Sequence, residues 1–237
     1  MKRIISFLAC FLALTGVVHA QTIVTSDKTV DKPIPSWRIA VHGGFAYQLG
    51  LVDKSLGSDM TDYQRKLKMG YCYGFDISHF FSETLGVGFK YSDGHFSRSF
   101  EGTATFDDGS SRSGIISDKI DLRFIGPFIS YRWLTAKDRG AFFVNYGLGY
   151  LGLYDNTVVF EPYYIRGGTL GQLADIGYDF SLTQHLAVGA SVSFVAGTIS
   201  SFTNYYPNGS SQSVQLEKKD YRSLGHLTLS FGLRLLL

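Results

Sequence analysis

Strict two-residue alternation of apolar and polar side chains recurs along this chain and constrains its fold more than any other feature. Period two puts successive side chains on opposite faces of a strand, so each run has one apolar and one polar face. Eight runs carry the pattern. The first, about 36–50, sets Trp37, Ile39, Val41, Phe45 and Tyr47 against Arg38, Ala40, His42 and Gly44. The second, about 66–80, sets Met69, Tyr71, Tyr73, Phe75 and Ile77 against Gly70, Cys72, Gly74, Asp76 and Ser78. The third, from about 85, sets Leu85, Val87, Phe89 and Tyr91 against Gly86, Gly88 and Lys90. The fourth, about 117–133, sets Ile120, Leu122 and Phe124 against Asp121 and Arg123. Its phase slips at Gly126-Pro127 and resumes as Ile129, Tyr131 and Trp133, as one extra bulge residue would allow.

The fifth run, about 141–154, sets Phe142, Val144, Tyr146, Leu148 and Tyr150 against Asn145, Gly147 and Gly149. The sixth, about 168–182, sets Ile176, Tyr178 and Phe180 against Asp175, Gly177 and Asp179. The seventh, about 186–198, sets Leu186, Val188, Val192 and Phe194 against Ala187, Gly189, Ser191 and Ser193. The last, about 221–237, sets Leu227, Leu229, Phe231, Leu233 and Leu235 against Thr228, Ser230, Gly232 and Arg234. Connections alternate between short ones near 82–84, 135–140 and 183–184 and long polar ones at about 51–65, 98–116, 155–167 and 199–220. This rhythm predicts strands running alternately up and down, with every short turn at one end. No stretch reads as a convincing amphipathic helix.

The size of the polar-face residues decides which face is inside. A soluble barrel coats its exterior with large hydrated groups. Here that face is mostly Gly, Ala and Ser with scattered charges, which suits the narrow lumen of an eight-stranded barrel filled by side chains. Leu, Val, Phe and Tyr are too bulky for that lumen in this number, and outside they form a lipid-facing band. Charged residues make up 18% of the chain, below the roughly 25% of soluble domains. Trp37, Phe80, Trp133, Phe142 and Phe180 all fall at the short-turn end, as an interfacial aromatic girdle requires. Tyr47, Tyr71, Tyr150, Phe194 and Tyr221 mark the opposite rim. The expectation is all-β: an eight-stranded antiparallel up-and-down transmembrane β-barrel with four long external loops and three short periplasmic turns.

The first twenty residues read as a cleaved signal peptide, with Lys2 and Arg3, an apolar run from Ile4 to Val18, and Val18-His19-Ala20 before Gln21. Residues 21–35 would form a short periplasmic segment and 36–237 the barrel. Nothing in the pattern predicts a wall-binding module after it. Without Lys2 and Arg3 the 22 basic residues fall level with the 20 acidic ones, so charge points to no nucleic-acid partner. Cys10 leaves with the signal. Cys72 is then a lone thiol, which forms no internal disulfide and fits a small interior position.

The signal, the eight alternating segments, the loop rhythm and the apolar comb at the carboxyl end together resemble the OmpA-like superfamily of eight-stranded outer-membrane β-barrels, over about 36–237. The terminus departs from that pattern: such barrels commonly end in an aromatic residue, and this chain ends in Leu237. The resemblance implies outer-membrane lipid and the barrel-assembly machinery as partners, and no cofactor.

On luminal parity, Arg38 and Arg234 are expected to face Asp76 and Asp179 in a lower layer, and Lys90 and Arg123 to face Asp121 and Asp175 in a middle one, since a buried charge is costly unless paired. These groups would plug the barrel; a narrow pore is the alternative. His95 and Ser97 in "GHFSRS" resemble the histidine–serine pair of lipid A deacylases. The resemblance implies His95 as base to Ser97, with Glu101 or Asp107 as the carboxylate, although Arg98 stands where that family has asparagine. His42 and His226 point inward, and two ligands fall short of a metal site. "FDDGSS" at 106–111 lacks the ligand spacing of a dedicated calcium loop and reads as a turn. Phe160, Tyr163, Tyr164, Phe202, Tyr205 and Tyr206 give the long loops aromatic surface for an external ligand, or pack them on the rim. The expected role is therefore structural or adhesive rather than enzymatic.

Overall fold

The computed structural model describes residues 34–50, 58–105, 111–135, 139–159 and 161–237. The expected signal segment, the tip "FDDGS" and Phe160 lie outside them. Eight long strands are β1 (Trp37–Gln48), β2 (Met69–Phe80), β3 (Leu85–Thr105), β4 (Ser111–Leu134), β5 (Gly140–Val159), β6 (Glu161–Ser181), β7 (Leu186–Ala196) and β12 (His226–Leu236). Each pairs antiparallel with the next, and β12 pairs with both β7 and β1, closing a ring. The seam is complete to its last residue: Trp37 and Leu237 exchange backbone hydrogen bonds of 2.8 and 3.0 Å. Closure satisfies every strand edge within the ring, which hydrocarbon demands.

The outer face is apolar. Phe45, Met69, Ile129, Leu170 and Phe231 each expose more than half of their surface, a pattern that makes sense against acyl chains and not against water. The luminal face carries Arg38, Asp76, Lys90, Asp175, Ser193 and Arg234, all buried. Small residues leave the larger ones room: a Cβ at Gly88 would collide with the Phe128 ring. The short turns are held by hydroxyls. Ser82 Oγ accepts the Leu85 N–H at 2.9 Å, Thr183 Oγ1 accepts the Leu186 N–H at 3.0 Å, and the Thr135 hydroxyl donates to the Gly140 carbonyl at 2.9 Å.

Strand lengths fall into two classes. β1, β2, β7 and β12 have 11 or 12 residues, enough to cross the hydrocarbon when tilted. β3 to β6 have 20 to 24. The surplus rises as a wall above the outer rim. The stretches 98–116 and 155–167, expected as loops, are thus largely strand, paired as far as Thr105↔Ser111 and Val159↔Glu161. The region 199–220 is also structured. β8 (Thr198–Ile199) pairs with β11 (Arg222–Ser223), and the hairpin of β9 (Ser201–Tyr205) and β10 (Ser211–Gln215) adds to the edge of β6 through Tyr164↔Tyr205.

A helix, α1 (Ser58–Leu67), occupies part of the first long connection. Strand two accordingly starts at Met69, not near 66. Met60, Tyr63 and Leu67 recur at the helical spacing of three and four and pack on the core. That core fills the outer half of the barrel: Phe96, Phe124, Leu151, Leu173 and Val195 are fully buried in it.

Two expectations about the direction of strand faces fail as well. β4 has no bulge at Gly126-Pro127. Its register runs unbroken, with Ile125↔Tyr150 and Phe128↔Gly147 on one diagonal. Leu122, Phe124, Phe128 and Ser130 all point inward, and Asp121 and Arg123 therefore point out. The reason is the wall. Where a strand leaves hydrocarbon its outer face no longer selects apolar residues, so charges turn out and the apolar ones turn in. Phe80 is the second correction. It follows Asp76 and Ser78 on the luminal face of β2 and is buried under the Arg132 guanidinium, 3.7 Å from its ring centre. The other girdle residues, Trp37, Trp133, Phe142 and Phe180, do face outward.

Candidate functional site

Charged side chains form clusters at three levels of the barrel. The first is the lower lumen. Arg38 donates to Asp76 and, through Nε, to Asp179 at 2.6 Å, while Arg234 Nε donates to the same Asp179 carboxylate at 2.9 Å. His42 Nδ1 lies 3.5 Å from Asp76, and the Phe143 ring sits 4.5 Å from the Arg38 guanidinium. The structure brings Arg38, Arg234, Asp76 and Asp179 together here. The middle layer keeps only half of its expected members: Lys90 Nζ donates to Asp175 at 2.8 Å and to Ser193 Oγ at 3.1 Å, and Asn145 donates to Asp175 at 3.3 Å. Asp121 and Arg123 are absent from it because they lie outside. His226 is buried above, with Nδ1 3.1 Å from the Leu224 carbonyl, and does not meet His42: the register sets His226 opposite Gln48 and His42 opposite Gly232.

The second place is the outer face of β3 and β4, just above the apolar band. Register brings its members together. His95 lies opposite Asp121 and beside Tyr71; Asp93 lies opposite Arg123 and beside Tyr73. His95 Nδ1 contacts Asp121 Oδ1, and its Nε2 lies 3.2 Å from the Tyr73 hydroxyl. Arg123 Nε donates to Asp93 Oδ2 at 2.8 Å, and the Tyr91 hydroxyl donates to the same oxygen at 3.1 Å. The Arg123 guanidinium stacks 4.6 Å from the Tyr154 ring. Although it points away from the lumen, the Asp93 side chain is wholly buried under these groups. Both ring nitrogens of His95 thus lie on partners other than Ser97, which is exposed on the same face, as is Glu101. Asp107 is outside the described residues. Sequence reasoning missed Asp93. The signal was an aspartate and a histidine two apart on the apolar parity of a strand, where neither belongs.

The third place is the top of the lumen, under α1. Tyr63 donates its hydroxyl to Asp118 Oδ2 at 2.8 Å. The adjacent Asp155 is buried on the luminal face of β5 and bonds Thr157. Burial first, then the Asp118 charge, pushes the Asp155 carboxyl up to about 7. Burial also leads in pushing the Tyr63 phenol up, followed by its hydrogen bond to Asp118 and then the Asp118 charge. On the wall outside, Tyr164, Tyr205 and Tyr206 are exposed, and Arg166 lies 5.5 Å from the Tyr205 ring.

No family model matches the chain, and no curated protein does. Solved structures resemble it in fold. A major outer membrane protein from Thermus thermophilus matches at 10% identity with a TM-score of 0.54, over 85% of this chain and 100% of that one. Neisserial surface protein A matches at 10% identity with a TM-score of 0.51, over 87% and 100%. The fold is that of the small outer-membrane β-barrels. At such identity the likeness extends to architecture alone.

Proposed function

We propose that this barrel resides in the outer membrane of a two-membraned bacterium and works, without enzymatic chemistry, as a surface-interaction protein. On this reading an export signal delivers it, the barrel-assembly machinery inserts it, and its raised wall meets an external ligand or surface. The observation that carries the proposal is the division of the molecule at its outer rim. Below the rim, the outer face is a continuous apolar band and the lumen is filled with ion pairs and then with apolar side chains. Above it, four strands continue outward and a hairpin docks on their edge, presenting exposed tyrosines beside arginine. Tyr and Arg are enriched where proteins recognise partners.

A filled lumen weighs against a conductive role, and the engagement of His95 by Asp121 and Tyr73 weighs against a serine hydrolase served by that histidine. The test is to replace Tyr164, Tyr205 and Tyr206 together with serine in surface-expressed protein. Cell-surface adhesion to immobilised matrix should fall while outer-membrane fractionation and heat-modifiable migration stay unchanged. Undiminished adhesion would reject the wall as the working surface, and recovery in the soluble fraction would reject the membrane assignment.

A further inference from the structure

We propose that Asp93, His95 and Asp121 form a divalent-metal site of the Zn²⁺ class on the outer face of β3 and β4. One ligand atom from each, two carboxylate oxygens and an imidazole nitrogen, lie within 4.8 Å of one another. The spacing follows from the sheet. His95 and Asp121 are direct cross-strand partners, and Asp93 is two positions from His95 on the same face. Three protein ligands with a position left for water is the arrangement of open zinc sites.

The decisive group is Asp93. Its side chain is fully buried. Oδ2 takes hydrogen bonds from Arg123 and Tyr91, while Oδ1 has no partner. A buried carboxylate oxygen left bare is costly, and a cation in front of it removes the cost. The neighbours are arranged as outer-shell supports. Arg123 and Tyr91 fix the Asp93 carboxylate through Oδ2 and leave Oδ1 to a ligand, and the Tyr73 hydroxyl at 3.2 Å from His95 Nε2 holds the ring with Nδ1 on Asp121. Two carboxylates and one imidazole beside a single guanidinium give the pocket its donors for the ion. Imidazole together with carboxylate favours Zn²⁺ over Ca²⁺ or Mg²⁺, which prefer all-oxygen sets.

The test uses the full barrel without a histidine tag, folded in detergent and stripped with chelator. Equilibrium dialysis should find one tightly bound Zn²⁺ per chain, insensitive to millimolar Ca²⁺. His95→Ala and Asp93→Asn should each weaken binding by more than tenfold. Tyr73→Phe, which removes only an outer-shell contact, should weaken it by about tenfold. His185→Ala, at a histidine on a short periplasmic turn, should leave it unchanged. Heat-modifiable migration of each variant separates lost binding from lost folding, and Co²⁺ substitution in the wild-type barrel should give d–d bands that His95→Ala lacks. Absence of stoichiometric Zn²⁺, equal binding by folded His95→Ala, or displacement by Ca²⁺ would overturn the site.

Discussion

Arg38 and Asp179 stand 141 positions apart in the chain and meet in the lumen, where Arg38 Nε donates to the carboxylate at 2.6 Å. Arg234 Nε donates to the other oxygen of the same group. One aspartate thus ties the first strand of the ring to the last through side chains, beside the seam that their backbones already form. Removing it leaves two buried guanidinium groups sharing Asp76 alone. Breaking a buried ion pair from one side costs about 3–5 kcal/mol. Asp179→Asn should therefore lower the urea-unfolding free energy of the refolded barrel by that margin, and Asp76→Asn with Asp179→Asn together should abolish heat-modifiable folding. A double variant as stable as the wild type would show that the pairs do not hold the plug.

The height of the apolar band can be mapped with single arginines. Phe231 projects outward from β12 in the middle of its length, whereas Ile115 projects outward from β4 far up the wall. Both are exposed in the isolated molecule. Phe231→Arg should destabilise the barrel in phospholipid vesicles by about 2–4 kcal/mol, the cost of a cation near the bilayer midplane. Ile115→Arg, surrounded by water, should change stability by less than about 0.5 kcal/mol. Equal effects at the two positions would contradict the assignment of the wall to the aqueous side.

The apolar plug makes a different demand. Phe124 and Leu151 are fully buried on the luminal faces of β4 and β5. Phe124→Ala should cost about 3–5 kcal/mol in urea unfolding, because the rigid surrounding strands cannot collapse into the void. The wild-type barrel should show no steady conductance in planar bilayers. Channel activity in the wild type would refute a filled lumen.

Six of the eight strands, with their inward and outward faces, could be read from the alternation alone, and Arg234 was assignable to the lumen from its parity among leucines. That legibility comes from the bilayer, which penalises every polar side chain on the outer face of the spanning segment. The same rule fails where the bilayer ends. At the rim of β4, Asp121 and Arg123 turn outward, while Leu122 turns inward on the same face as Phe124 of the plug. A reading that extends the membrane rule upward must then invent a bulge at Pro127. Phe80 failed for a related reason: at the periplasmic end an aromatic ring serves a girdle or the underside of an arginine equally well, and only its parity with Asp76 decides. Helix α1 escaped notice because its apolar positions, Met60, Tyr63 and Leu67, lead straight into the alternating run of β2. The exterior cluster of Asp93, His95 and Asp121 is hidden by the same parity, since the alternation read upward from the membrane assigns Asp121 to the lumen.

Asp155 gives the top of the barrel a pH dependence whose sign is fixed. Its carboxyl titrates at about 7 in the folded chain, raised from 3.8, with burial the largest cause and the Asp118 charge the next. Thr157 and Arg222 oppose that rise. The folded state thus holds a proton that the unfolded chain has already released, and stability falls as pH climbs from about 4 to about 7. The contribution is complete below that window and gone above it. Ionised Asp155 would face Asp118, the group that anchors α1 through Tyr63, so loosening should appear first in the helix. Hydrogen exchange of α1 amides should accelerate between pH 5 and pH 8 beyond the intrinsic base-catalysed rate. Asp155→Asn, which cannot ionise, should remove that excess and be more stable than the wild type at pH 8. Asp118→Asn should shift the transition toward lower pH by deleting the like charge. An excess that persists in Asp155→Asn would assign the effect to another group.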